Sequence, residues 1–467
     1  MFVNTESRSS ASRWAVYLGL ILSLCLFVVY SANHLSWEIS LAFLVLILFF
    51  VSLFIEQSSI FILASICLIV FLEIGLDLKL SSVKGISYRN MILGAGLFLL
   101  MIKNLKEKRN LFLSCPLNWI LILYLIYSFG SLTFNYLAGH YSESFVSLLA
   151  LYKSRVINPF IIFLIAFNLP ESKKEIKLTA YFLLGFFVLV IFVNVLTYYG
   201  IVKFISYREL GGLRYFKGVY EPGYRLIGIF KEPNIFASYL VLFLPLLLST
   251  IFFTKKILIR TLLFVTLFWS ILVLVLTGSR GGYLGFIVSI GMYLFLTRRM
   301  KFLTKSQIFF IIILIIILLV LISLTFKDAF LTNVAGRLES MKDFESDKQI
   351  MGRFKFWRIG GEAFLKSPLL GSGWSNSIGV HNSFLFDLVT LGIIGFAIQI
   401  LLYFIIFRSS FESLVPNNRD FNNFLHLSFL AGFTGFLATM FTLEVFRVFQ
   451  LLYLYIGLIF RVRMLNE

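Results

Sequence analysis

Long apolar stretches separated by short polar, mostly basic connections dominate this chain. Candidate spans lie at about 14–32, 38–55, 59–76, 88–103, 117–137, 155–169, 178–200, 235–253, 259–277, 281–297, 308–326, 384–407, 422–442 and 445–460. Most of these runs approach the roughly 20 residues a helix needs to cross a bilayer. Only helices and closed barrels satisfy their own backbone groups in lipid, and runs of this length are helical. The pattern therefore predicts an all-α polytopic membrane bundle of about 12–14 spans. The first run, Trp14 to Ala32, is too long for the apolar core of a signal peptide and reads as an uncleaved span.

The connections set an orientation. With the N-terminus in the cytoplasm, the inward segments are Lys103–Arg109, Lys173–Lys177, Lys255–Arg260, Arg298–Lys305, Arg408–Arg419 and Arg461–Arg463. All are rich in Lys or Arg, as cytoplasmic connections are. Both termini are then cytoplasmic. Two larger segments remain outside, Ile201–Pro233 and Lys327–Ser383. The second carries eight Lys/Arg and six Asp/Glu, and its part from Ile350 to Leu365 mixes Phe354, Phe356, Trp357 and Phe364 with Arg353, Lys355 and Arg358. Such a mixture suits a helix lying in the membrane interface. A working division follows: residues 1–200 as N-terminal spans, 201–407 as a core containing the large loop 327–383, and 408–467 as C-terminal spans.

Composition agrees. Of the 467 residues 59% are apolar and 14% charged, with mean hydropathy +0.93, more apolar surface than a soluble fold can hide. The formal charge of +18 reflects basic inward connections rather than nucleic-acid binding. Cys25, Cys67 and Cys115 fall in or beside spans without metal-ligand spacing, so neither a disulfide, a metal site nor a cofactor is expected.

Three outward elements could carry chemistry. The first is Tyr224-Arg225-Leu226-Ile227-Gly228 running to Pro233-Asn234, the second Gly278-Ser279-Arg280-Gly281-Gly282 between two spans, and the third Val380-His381-Asn382-Ser383 at the entry to a span. An arginine can snorkel to headgroups, and a histidine can simply sit at an interface. Together they suggest more. Two guanidinium groups can stabilise the growing charge of a diphosphate leaving group. Neutral His381 can accept a proton from an attacking hydroxyl. Asn382 could fix the imidazole or bind a substrate hydroxyl, and Pro233-Asn234 could cap the next helix. The Gly371 and Gly373 pair predicts a tight turn. A glycosyl donor outside the inner membrane has to be lipid-borne, with its diphosphate at headgroup level.

The ordered motifs Arg225-Leu226-x-Gly228-x-Phe230-x-x-Pro233-Asn234, Gly278-Ser279-Arg280-Gly281, Ser367-Pro368-Leu369-Leu370-Gly371-x-Gly373, His381-Asn382-Ser383-Phe384-Leu385 and Gly392-Ile393-Ile394-Gly395 resemble the bacterial O-antigen ligase and polymerase superfamily over roughly residues 205–400. The resemblance implies a GT-C-like, metal-independent inverting glycosyltransferase in a bacterial inner membrane. Its donor would be an undecaprenyl-diphosphate-linked glycan. Its acceptor would be a lipid A-core sugar for a ligase, or another lipid-linked repeat for a polymerase. It implies His381 as catalytic base, Arg225 and Arg280 on the diphosphate, and Arg353, Trp357, Asn234 and Asn382 near substrate. Ligase is the first expectation and polymerase the second. Protein O-glycosylation is a lesser alternative, as is a lipid-linked sugar flippase, which would be expected to show mid-membrane ionisable groups and interrupted helices.

Overall fold

A computed structural model describes residues 88–107, 115–141, 143–199, 207–209, 215–216, 224–228, 232–336, 348–374, 379–442 and 448–465. The expected spans 14–32, 38–55 and 59–76 lie outside these. From 88 onward a helix stands at every expected span. In chain order they are α1 (Tyr88–Glu107), α2 (Pro116–Leu137), α3 (Phe145–Tyr152), α4 (Asn158–Asn168), α5 (Lys173–Tyr198), α6 (Pro233–Phe253), α7 (Ile257–Thr277), α8 (Arg280–Arg299) and α9 (Lys305–Thr325). After these come α10 (Lys327–Phe330), α11 (Lys348–Lys366), α12 (Ser383–Glu412), α13 (Phe421–Met440) and α14 (Phe449–Met464). Among the described residues, nine helices are long and apolar enough to cross a membrane. The protein is a multi-pass, all-α membrane bundle.

Three details depart from the hydropathy pattern. The span expected at 155–169 begins at Phe145, because a π-helical turn, Lys153–Ile157, joins α3 to α4 without a break. The segment 201–233, expected outside, contains a small antiparallel sheet, β1 (Tyr207–Glu209), β2 (Tyr215–Phe216) and β3 (Tyr224–Leu226), in the order β2-β1-β3 with Arg208 opposite Arg225. The span expected as one helix at 384–407 is interrupted: Gly392 has φ 67° and ψ −175° inside α12.

Burial decides the layering. The most apolar window of α6 is 94% buried and that of α13 is 83% buried, whereas α9 buries only 17% of its own. Helices α6 and α13 therefore form the centre, and α9 is a rim helix whose Phe309, Ile316 and Leu324 face lipid. In lipid, apolar area drives little helix association, so close backbone approach matters more. A Cβ on Gly282 would lie 2.5 Å from Ala237 Cβ, and one on Gly435 2.5 Å from Ser289 Cβ. Gly282, Gly285 and Ser289 line one face of α8, and Gly432, Gly435 and Thr439 one face of α13. Larger residues there would push α8 away from α6 and α13.

The helix ends sort into two sets. The turns Thr254–Lys256, Met300–Thr304 and Ser413–Asp420 share one end with the C-terminus of α14, where Asn417 N–H bonds Met300 O and Arg463 reaches Ser409. This end carries the Lys255, Arg298, Arg299, Arg408 and Arg463 charges that the positive-inside reading put in the cytoplasm.

Candidate active site

The opposite end gathers the predicted site residues. Arg225 leaves β3 and is 8% exposed. Its Nε donates to Thr277 O at 2.8 Å and its Nη2 donates to Asn234 Oδ1 at 2.8 Å. Asn234 therefore does not cap α6, whose N-cap position is Glu232; it orients the arginine instead. Thr277 is the last residue of α7, which ends because Gly278 takes the left-handed conformation at φ 55°. A Cβ there would lie 2.9 Å from Asn333 Oδ1 and 3.5 Å from Arg225 Nε, so only glycine lets these groups meet. Ser279 then caps α8 by accepting Gly282 N–H at 3.2 Å. Arg280 is the first residue of that helix. Tyr283 completes the cluster, its hydroxyl lying 3.0 Å from Val275 O and 3.1 Å from Asn333 O.

His381 belongs to a second cluster at the same end. It is exposed, and its φ of 49° is a backbone conformation that non-glycine residues avoid. Its ring meets the Phe356 ring edge-on, with centroids 5.6 Å apart. Asn382 is the N-cap of α12, its Oδ1 accepting Leu385 N–H at 3.0 Å. Trp357 packs, partly buried, against a cluster that includes Trp374, Val380 and Phe386, and Arg353 is half-buried one turn earlier on α11.

The two clusters are linked through the bundle. Phe384, three residues after His381, meets Phe441 just past the end of α13, with ring centroids 4.6 Å apart. The last turn of α13 packs through Thr439 on Gly285 of α8, and Arg280 starts α8. The N-termini of α6, α8 and α12 thus open at one end. Each presents the partial positive charge of a helix start to an anion.

The break in α12 is filled by chain from the large loop. Residues Ser367–Gly373 turn against it, and the freed backbone groups find partners there. Ser372 N–H donates to Val389 O at 2.8 Å, Gly373 N–H to Thr390 O at 2.9 Å and Ile393 N–H to Pro368 O at 2.9 Å. From α2, the Tyr127 hydroxyl lies 2.8 Å from Leu391 O and 3.1 Å from Leu369 O, and Ser131 Oγ donates to Leu370 O at 2.8 Å. Gly371 and Gly373 have φ 77° and 82°, the tight turn their spacing predicts. With nine residues before the break at 1.5 Å each, the interruption lies about 14 Å along the helix from its Asn382 cap.

Some residues here escape sequence reading. Asp387 is buried, about 6 Å below the start of α12 by helical rise, and Gln399 Nε2 donates to it at 2.7 Å. Its signal is available in the sequence, an acid inside an apolar run. Arg155 stands on the π-helical turn with its guanidinium 4.7 Å from the Phe386 ring centre and 5.9 Å from that of Trp374. Its position at the edge of an apolar run gives a weaker cue. Outside the spans, burial, with Gly373 packed on its hydroxyl, pushes the Tyr141 phenol well above its usual range.

Residues 263–400 match the family model described as O-Antigen ligase, which supports the resemblance to the O-antigen ligase and polymerase superfamily. The match takes in Arg280, α11, the Ser367–Gly373 turn, His381 and the Gly392 break; Arg225 and Asn234 precede it. A search of curated proteins finds no match.

Proposed function

We propose that this O-antigen ligase or polymerase type of glycosyltransferase moves a glycan from undecaprenyl diphosphate to an acceptor hydroxyl at the periplasmic face, most simply joining O-antigen to lipid A-core. The observation that carries the reading is the shared end: Arg225, Arg280, His381 and three helix N-termini open there, away from the basic turns. A lipid-borne diphosphate lies at headgroup level, within reach of such an end.

In this mechanism His381 Nδ1 or Nε2 takes the proton of the acceptor hydroxyl. The oxygen forms a bond to the anomeric carbon from the face opposite the diphosphate. The anomeric C–O bond breaks, and undecaprenyl diphosphate leaves with the electron pair, inverting the configuration. Arg280, at the mouth of α8, takes the departing oxygens. Arg225, with Nε and Nη2 bonded to protein, orients the Thr277–Arg280 turn and adds its own charge. Fixed positive charge aimed at a developing anion lowers the barrier without reorganisation. Asn234 is in the same site through Arg225. Arg353, Trp357 and Asn382 flank the acceptor side.

Polymerisation of lipid-linked repeats uses the same chemistry with another acceptor, and so does transfer to a protein hydroxyl. The break in α12 raises the transporter reading afresh. There a half-helix end would be open to substrate, whereas Ser372, Gly373, Ile393 and Tyr127 bond the backbone groups of this break within the chain. Reconstitution with purified lipid-linked glycan, lipid A-core and chelator tests the proposal. Product forms with the parent protein, and His381→Ala or Arg280→Ala, inserted at parent levels, forms none. Transfer by either variant, or transfer only with added metal, rejects the mechanism. Longer lipid-linked glycan in place of capped lipid A identifies the polymerase.

A further inference from the structure

A helix broken inside a membrane leaves carbonyls of one half and N–H groups of the next without partners, and lipid supplies none. In α12 the chain itself supplies them. The segment that does so, Ser367–Gly373, directly continues α11. Helix α11 also touches the residues around His381. Phe356 meets the imidazole edge-on, and a Cβ on Gly360 would lie 2.6 Å from Val380 Cγ1, the side chain immediately before it. The half-helix Ser383–Leu391 is thus held at its top by the Asn382 cap and at its bottom by the inserted segment.

The fit at the bottom admits no side chain. A Cβ on Gly392 would overlap Leu369 O, and one on Gly371 would overlap Thr390 O. Helix α2 supplies the outer jaw. The single Tyr127 O–H is shared between the carbonyls of Leu391, at 2.8 Å, and Leu369, at 3.1 Å, one on each side of the junction, and Ser131 donates to Leu370 O. A rotation of α12 or a withdrawal of the segment would break these bonds together. His381, already held in an unfavourable backbone conformation, would move with the half-helix.

We propose that Tyr127 and Ser131, acting through the Ser367–Gly373 segment, are positioning residues that set the height and rotation of the half-helix carrying His381. This rests on the reading of His381 as the base. The two residues touch no substrate; they act on the geometry of the proton transfer. A displacement of about 1 Å at a reacting group can cost on the order of a hundredfold in rate. Loss of one clamping hydrogen bond is expected to cost on the order of tenfold.

The test uses the full chain reconstituted with lipid-linked glycan and acceptor. Tyr127→Phe keeps the ring and removes the bridge; Ser131→Ala removes the second clamp and Ser131→Thr keeps a hydroxyl. We expect kcat to fall about tenfold in Tyr127→Phe and Ser131→Ala with the donor KM within twofold, and Ser131→Thr to recover most of the rate. Hydrogen exchange should quicken in peptides covering 369–373 and 389–393 in the first two variants, a readout independent of activity. Parent kcat and parent exchange in Tyr127→Phe overturn the proposal, as does a rise in donor KM at unchanged kcat. If His381→Ala abolishes transfer while Tyr127→Phe has no effect, the positioning lock alone fails. If His381→Ala transfers normally, the base reading fails first.

Discussion

Gly360 and Gly361 are neighbours on α11 that differ in what faces them, and substituting each by alanine isolates that difference. Both sit inside the helix, where alanine gains about 0.5–1 kcal/mol over glycine by removing backbone freedom from the unfolded chain. A Cβ on Gly361 meets nothing within 4 Å, so Gly361→Ala should stabilise by that amount. A Cβ on Gly360 lies 2.6 Å from Val380 Cγ1 and 3.5 Å from Val389 Cγ2. Carbon contacts settle near 3.5–4.0 Å, so about 1 Å must be found. Valine is stiff at χ1 and cannot swing aside cheaply. Such overpacking costs about 1–3 kcal/mol. Gly360→Ala should therefore lie about 1–3 kcal/mol below Gly361→Ala in stability. The relief available to α11 is to lift from Val380, which adjoins His381, so transfer should fall about tenfold or more in Gly360→Ala. It should stay at the parent level in Gly361→Ala. The assays are equilibrium unfolding of both variants in one detergent and transfer rates in one vesicle preparation. Equal stability and equal rates for the two would refute the packing of α11 on the His381 segment.

Four further outcomes are expected. Arg225→Lys keeps the charge but cannot hold Thr277 O and Asn234 Oδ1 together, so transfer should drop at least tenfold while insertion is unchanged, read by initial rates. Asn382→Ala removes the cap on Leu385 N–H and should cost about 1 kcal/mol in the same unfolding assay. Arg358→Ala breaks an exposed pair with Glu362 and should change stability by no more than about 0.5 kcal/mol at any salt concentration. The Tyr141 phenol is raised by burial, so its contribution is intact below the unfolded value of about 10 and declines as pH rises above it. Tyr141→Phe should make unfolding between pH 10 and 12 less pH-dependent than in the parent, and an unchanged alkaline slope counts against that burial.

Hydropathy locates helices well here because transfer into lipid is close to a local sum: each apolar run carries its own free energy wherever its neighbours lie. That is why α5 to α9 and α13 begin and end within a few residues of expectation. Lys153–Ile157 shows the limit. Basic residues hide the start of the span at Phe145, since a π-helical turn and the rings of Trp374 and Phe386 accommodate Arg155 in a way no window average registers.

By itself the sequence determined the class of protein, the positions of most spans among the described residues, the basic end and the three motifs of the candidate site. Each follows from local composition or from residues adjacent in the chain. Tertiary structure alone decided how those motifs are held. Arg225 is bonded to Thr277, 52 residues away, and Asn234 serves that arginine rather than its own helix. Gly392 reads as one glycine of a short motif in an apolar run, with no sign of a break, until Tyr127, 264 residues before Leu391, and the Ser367–Gly373 segment meet it. Breaking a membrane helix is tolerable only where other parts of the chain supply the lost backbone bonds. Those parts are brought together by folding and not by proximity in sequence.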